Sequence, residues 1–183
     1  MVHQSLGLQH GRVVLAAHDE TWRTAYEQEA SDLRRSLTSR VSGLEHIGST
    51  SVPDIRAKPI LDLMLGLSNL DDGPGLGSDL AELGYEFRPD AELPAEHVYA
   101  KGTPRTHILH VVEFGGDAWQ QKLAFRDALR EEPELARAYQ ALKMALSLRF
   151  PDDRAAYTAG KTEFVKGVVS TRLSNSSFQS RRA

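Results

Sequence analysis

The residues of this 183-residue chain whose types and spacing suit chemistry fall into three short stretches. The first is Gly48-Ser49-Thr50-Ser51, followed by Lys58 and by Asp62 within an apolar run over 59–65. The second is Thr106-His107-Ile108-Leu109-His110-Val111-Val112-Glu113, with Lys101 and Arg105 just ahead of it. The third is the pair Tyr157 and Lys161. A Gly-Ser turn that leaves a strand and enters a helix offers amides and hydroxyls to a phosphate at a positively polarised helix start. Strand residues alternate, so Lys58, Ile60, Asp62 and Met64 share one face and Pro59, Leu61, Leu63 and Leu65 the other. Asp62 is then an ionisable group among apolar neighbours, and a buried carboxylate costs several kcal/mol unless it is paired. A divalent metal, Lys58 or Arg56 could be its partner.

The same alternation puts His107, Leu109, Val111 and Glu113 on one face of the later strand, and Ile108, His110 and Val112 on the other. The two histidines therefore do not form a simple two-His site. Glu113 could supply a second carboxylate if this strand lies beside that of Asp62. Lys101 and Arg105 could bind phosphate or form a solvated face. Tyr157 and Lys161 are i, i+4 neighbours on a helix, and a lysine directed at a pocket would offset phosphate charge. Arg126 and Lys143 read as ordinary helix-surface charges.

The elements that must hold these residues follow from pattern. Asp19 predicts a helix start, and Trp22, Tyr26, Leu33 and Leu37 recur at helical spacing up to about residue 40. Strands are expected at 44–47, 59–65 and 107–114, with two edge strands at 85–87 and 98–101, a loop over 71–78 and a short helix from Leu80 to Leu83. Pro133 opens one helix, and Asp152-Asp153 caps another that carries Tyr157, Phe164 and Val168. The order predicts an α/β (α+β) domain, a mixed sheet flanked by helices with a helical C-terminal third. Residues 1–12 read as a flexible arm and 173–183 as a disordered tail.

Composition bounds the function classes. Hydrophobic residues make up 40% and charged residues 26%, an ordinary globular balance. With 22 basic and 25 acidic residues the net charge is −3, which argues against nucleic acid as a partner, while a local basic patch can still hold a phosphate. No cysteine is present, which excludes disulfides and thiolate chemistry. No apolar run approaches a membrane span, and the first ten residues lack a signal-peptide pattern, so a soluble, cytoplasmic protein is expected.

Three blocks carry a resemblance: EHIGSTSVPDIRAKPILDLML, KGTPRTHILHVVEFGG and KLAFRDALREEPELARAYQALKMALSLRFPDDRAAYTAGKTEFV. Together they resemble the GrpB family over residues 14–169, with 13–172 as one domain of nucleotidyltransferase-like fold. The resemblance implies transfer from a nucleoside triphosphate to a small acceptor. Asp62, His110 and Lys161 would be catalytic; Gly48, Ser49, Thr50, Lys58, Lys101, Arg105, His107 and Tyr157 would bind substrate or phosphate. Mg²⁺ would be held by Asp62 and Glu113. Active members of that superfamily carry two carboxylates one residue apart, about 6.6–7 Å along one strand face. Here the second position is Met64, a soft thioether that binds Mg²⁺ poorly. This departure leaves open a nucleotide- or phosphate-binding protein without transfer, or an accessory interaction domain like that fused to dephospho-coenzyme A kinase. At Asp54 the resemblance leads to an expectation of glycine.

Overall fold

A computed structural model describes residues 6–89 and 95–180, the side chains of 175–180 excepted. Helix α1 (Thr21–Leu37) begins where Asp19 Oδ1 accepts from the Thr21 amide at 2.9 Å, as its position ahead of the periodic run predicts. Five strands follow: β1 (Gly43–Ile47), β2 (Leu61–Leu67), β3 (Tyr85–Phe87), β4 (Glu96–Lys101) and β5 (His107–Glu113). A short α2 (Gly77–Glu82) precedes β3. The helical third is α3 (Asp117–Glu131), α4 (Pro133–Arg149), α5 (Arg154–Ala159) and α6 (Thr162–Ser180). The strand order is β1-β2-β5-β4-β3, with β2 and β5 parallel and the other pairs antiparallel. The α/β class, a mixed sheet flanked by helices, is the one expected. Among the described residues no helix is long and apolar enough to cross a membrane.

The alternation of β2 builds two different sheet faces. Leu61, Leu63, Leu65 and Leu67 pack with Trp22, Leu33 and Leu37 of α1 in the main core. On the other face Met64 joins Ile47, Val112 and Trp119. Full burial of each leucine is worth about 1.5–3 kcal/mol, so a one-residue slip of β2 would forfeit the core. The strand starts two residues later than expected. Pro59 has no amide to give, and the ladder opens where Leu61 donates to the Thr106 carbonyl.

Several expectations are corrected. β4 lies between β5 and β3 and is no edge strand. The 71–78 loop is mostly a 3-10 turn over Leu70–Leu76, and α2 starts at Gly77 rather than Leu80. Residues 6–12 are tied down, through Gly7 donating to the Pro59 carbonyl, a bridge from Leu8 to Arg105, and an Arg12–Asp152 ion pair; residues 1–5 lie outside the described residues. The 173–183 stretch is helical as far as Ser180, and 181–183 lie outside the description. The helix expected from Asp153 is two helices. Asp153 does cap α5, accepting from the Ala156 amide, but the chain turns at Gly160. A Cβ on Gly160 would sit 2.5 Å from Leu146 of α4, so the chain passes close to α4 at this joint. Arg126 is no surface charge: it pairs with Glu45 and Asp127 and donates to the His46 carbonyl.

Gly43 and Gly66 are opposed across β1 and β2, and the Phe114 and Trp119 rings lie over both. A Cβ on Gly66 would stand 2.9 Å from each ring. Gly66→Val should therefore cost about 1–3 kcal/mol through overpacking, read as a lower urea midpoint at unchanged slope. A cost under about 0.5 kcal/mol, the ordinary surface range, would contradict this packing.

Candidate functional site

The sheet face that carries Asp62 is only partly covered by α3. The remainder floors a cleft of about 1150 Å³, walled by the 48–50 turn, α3, α4, α5 and α6. Asp62 stands opposite Ile47 of β1 and Ile108 of β5, and its carboxylate lies under Gly48. Gly48 has φ 69° and ψ −174°, a conformation open to little but glycine. A Cβ there would come within 2.3 Å of Asp62 Oδ2. The glycine thus serves both the backbone path and the seat of the carboxylate. Ser49–Ser51 is one 3-10 turn rather than the start of a long helix, so helix-dipole attraction for a phosphate is not available there. Ser51 Oγ donates back to the Gly48 carbonyl at 2.7 Å. Asp54, where glycine was expected, has φ 62°, the left-handed region that glycine enters freely and aspartate tolerates.

Three lysines converge near Asp62. Lys58 enters from just before β2, Lys161 from the α5–α6 joint and Lys143 from the middle of α4. Lys58 and Lys161 both face the Tyr157 ring, at 5.5 and 4.6 Å from its centre, and Lys143 lies 4.8 Å from the centre of Tyr139. Burial, reinforced by the Lys161 charge and opposed by Asp62, pushes the Lys58 ammonium down to about 8. Burial together with Lys161 and Lys58 pushes Lys143 down to about 7. Lys161 is lowered too, by burial, with Asp62 opposing. Arg154 adds a further positive charge at the wall. The Tyr139 phenol, which lines the cleft with Ser49, is pushed up to about 12, chiefly by burial. Asp62 therefore acts on all three ammonium groups, of which Lys58 and Lys161 line the cleft with Arg154 while Lys143 is buried on the Arg56 carbonyl.

The structure brings together Gly48, Ser49, Thr50, Lys58, Asp62, His110, Tyr157 and Lys161. The Thr50 hydroxyl is already engaged, 3.0 Å from His46 Nε2. Burial, with the nearby Arg130 and Arg126 charges, pushes His46 down to about 3, so this ring is a neutral support for the turn. Three expected site residues lie elsewhere because strand parity sends them to the α1 side of the sheet. Lys101 is clamped by both oxygens of Glu29, at 2.8 and 2.9 Å. His107 sits beside it, 3.8 Å from Glu29 and 2.8 Å from the Thr106 hydroxyl. Glu113 pairs in register with Leu67, at the far end of β2 from Asp62, and is exposed. Arg105 borders a small crevice beside Lys58 and Arg154, outside the main cleft. Arg56 also turns away, donating to the Leu15 carbonyl.

These placements decide the fit of a metal. With Glu113 on the opposite face and Met64 sealed under Trp119, Asp62 has no second carboxylate at the expected positions. Among the described residues no three His, Asp or Glu side chains gather as a metal site. Mg²⁺ prefers several oxygen ligands, and at these positions it would meet a single carboxylate with Lys58 and Lys161 beside it. The two-metal arrangement does not fit this chain.

Lys143 was the residue most misjudged from sequence; it is 1% exposed and donates to the Arg56 carbonyl. A signal for it exists. Tyr139-Gln-Ala-Leu-Lys143 and Tyr157-Thr-Ala-Gly-Lys161 repeat the same Tyr-x-x-x-Lys spacing, each setting a lysine on a tyrosine ring one helical turn away. Glu96 and Lys122, also in the cleft, carried no comparable signal.

Fold and site define a mixed α/β protein with a cleft in which lysines gather beside a strand carboxylate, Asp62. A family model described as "GrpB protein" matches residues 12–171, and the chain belongs to the GrpB family. It is 35% identical over 170 residues to the glutamate-rich protein GrpB of Alkalihalophilus pseudofirmus, covering 90% of this chain and 98% of that one. It is 36% identical to a UPF0157 protein of Pseudomonas aeruginosa, over 88% of this chain and 68% of the relative. The crystal structure of the conserved protein GrpB from Enterococcus faecalis superposes with a TM-score of 0.81 at 32% identity, covering 88% and 98% of the two chains.

Gly48→Ala should destabilise the protein by about 1–3 kcal/mol, the cost of a glycine-only backbone conformation. The cost should be smaller in an Asp62→Ala background, where most of the clash with the carboxylate is gone. Equal costs in the two backgrounds, measured by denaturant unfolding, would show that Asp62 does not lean on Gly48.

Proposed function

We propose that the cleft binds a phosphorylated small molecule of the nucleotide class, with the lysines rather than a metal pair taking the phosphate charge. The observation that carries this reading is the charge imbalance around Asp62. Lys58 and Lys161 line the cleft with Arg154; burial lowers both, with the Lys161 charge acting on Lys58 and the Arg154 charge on each, and a polyanion offsets the cost of holding these charges together. The Ser49 hydroxyl and Arg154 add hydrogen-bond donors at the same end. Phe125, Val165 and Val169 line the cleft as an apolar wall suited to a base or another flat organic group.

Nucleotidyl transfer with Mg²⁺, implied by the family resemblance, is the second reading. The Gly48-Ser49 turn lying on a strand carboxylate favours it, and the lost second carboxylate opposes it. A purely accessory role gives the lysine cluster no task.

Calorimetric titration with ATP and with inorganic tripolyphosphate, in EDTA, separates these readings. Both ligands should bind without metal. Lys58→Gln and Lys161→Gln should each weaken binding roughly tenfold or more, the loss of one charge-assisted hydrogen bond. Asp62→Asn should tighten metal-free binding, because it removes a repulsive charge. Binding that requires Mg²⁺ and is weakened by Asp62→Asn would overturn the lysine reading in favour of the metal one.

The pH dependence has a definite sign. Deprotonation removes positive charge, and Lys58 is lowered to about 8. Tripolyphosphate affinity should therefore fall as pH rises through about 8, well below the usual lysine range near 10.4. A flat affinity up to about pH 10 would contradict the assigned cluster.

A further inference from the structure

Beyond Asp62 along the strand direction, away from Lys58, the cleft floor holds a second polar group. Glu96, the first residue of β4, is 3% exposed and lines the cleft with His110 of β5 and Lys122 of α3. Lys122 Nζ lies 2.8 Å from Glu96 Oε2, and His110 Nδ1 lies 3.4 Å from Oε1. Burial opposes ionisation of Glu96, yet the His110 and Lys122 contacts overcome it and hold the carboxyl down to about 2. The carboxylate is thus a fixed charge at ordinary pH. The charged groups that face the His110 ring are Glu96 from β4, Lys122 from α3 and, farther along β2, Asp62.

The two nitrogens of His110 have different surroundings. Nδ1 is wholly buried toward Glu96 without a well-aligned hydrogen bond, as are both Glu96 oxygens. The side chain as a whole keeps 19% of its exposure and lines the cleft, so its accessible edge carries Nε2. A Glu96–Lys122 ion pair would by itself suffice to tie α3 to the sheet. It does not account for an imidazole set between that pair and the cleft. A carboxylate behind one ring nitrogen fixes the tautomer and leaves the other nitrogen as a proton acceptor. Such contacts are commonly long before substrate arrives.

We propose that His110 Nε2 is the proton acceptor for a hydroxyl compound bound beside the phosphates, with Glu96 as its positioning residue. This rests on the phosphorylated ligand proposed above, taken as a nucleoside triphosphate. The hydroxyl proton passes to Nε2 as the oxygen forms a bond to phosphorus. The bond from phosphorus to the leaving phosphate oxygen breaks, and the leaving polyphosphate stays on the lysines. The imidazolium so formed is stabilised by Glu96. No oxidant or reductant is needed, and the hydroxyl compound is water or a small alcohol.

Two measurements on the full chain test it. Imidazole nitrogen NMR should show neutral His110 with its proton on Nδ1. Carbethoxylation of His110 by diethyl pyrocarbonate, followed across pH by peptide mass spectrometry, should report Nε2, and saturating ATP should slow it at least tenfold. Glu96→Gln should shift the midpoint of that pH profile down by about one unit and mix the tautomers, and Glu96→Asp should restore part of the shift. Should Glu96→Gln fold poorly with Lys122 left unpaired, the Glu96→Gln/Lys122→Gln double variant is compared with Lys122→Gln alone, so that the loss of the lysine charge cancels from the shift. A proton on Nε2, or a profile unmoved by either variant, overturns the proposal. Failure of tripolyphosphate to bind wild type would instead remove the phosphate reading, and it is measured separately.

Discussion

One carboxylate among several buried cations is the constraint around which this molecule is arranged. Asp62 partly offsets Lys58, Lys143 and Lys161, and each of the three needs its own device to reach that spot. Lys58 precedes the first hydrogen-bonded residue of β2, freed by Pro59 from the ladder. Lys143 extends along α4 over Tyr139 to the Arg56 carbonyl, its aliphatic stem buried and its head on a polar atom. Lys161 sits at the break between α5 and α6, where Gly160 passes close to Leu146. Tyrosine faces under the ammonium groups add cation–π attraction without adding negative charge. The cluster is stable enough to exist and still short of anions.

The rest of the fold makes this imbalance tolerable. The α1 face of the sheet is packed with leucine from β2 against Trp22, Leu33 and Leu37, so the opposite face can be left partly open. Where that face is closed, Trp119 and Phe114 close it against paired glycines. Where it is open, polar residues line it diagonally across the strands, each two residues further along: Asp62 on β2, His110 on β5, Glu96 on β4. The charges on the closed side, Glu29 with Lys101 and His107, are mutually paired. Those on the open side carry a surplus at the lysine end. That contrast between the two faces separates structural charge from functional charge in this chain.

Much of this was legible in the sequence. Alternation along 59–65 gave the correct faces of β2, and Gly48-Ser49 ahead of Asp62 marked the turn that the carboxylate supports. Parity also implied that His107 and Glu113 could not share a face with His110; the expectation of Glu113 as a ligand set that aside. Lys143 was hidden because a helix in the last third packs on two sides, and a one-stripe reading assigns any lysine to solvent. Met64 lies on the face of Asp62, yet a tryptophan 55 positions later covers it, which no local pattern reveals. Glu96 and Lys122 meet only through the folding of α3 across the sheet. Local periodicity carried the strands and the turn, and long-range packing decided which charges face the cleft.

The central claim is that the lysine cluster is an anion site held short of its anion, and the lysine titrations themselves test it most directly. Lysine side-chain NMR of the uniformly labelled protein, assigned with Lys58→Gln and Lys161→Gln, gives the midpoints with and without tripolyphosphate in EDTA. The account predicts that free Lys58 and Lys161 titrate below the ordinary lysine range near 10.4 and move back up toward it when the polyanion binds. Ordinary midpoints in the free protein, unchanged by the polyanion, would contradict it.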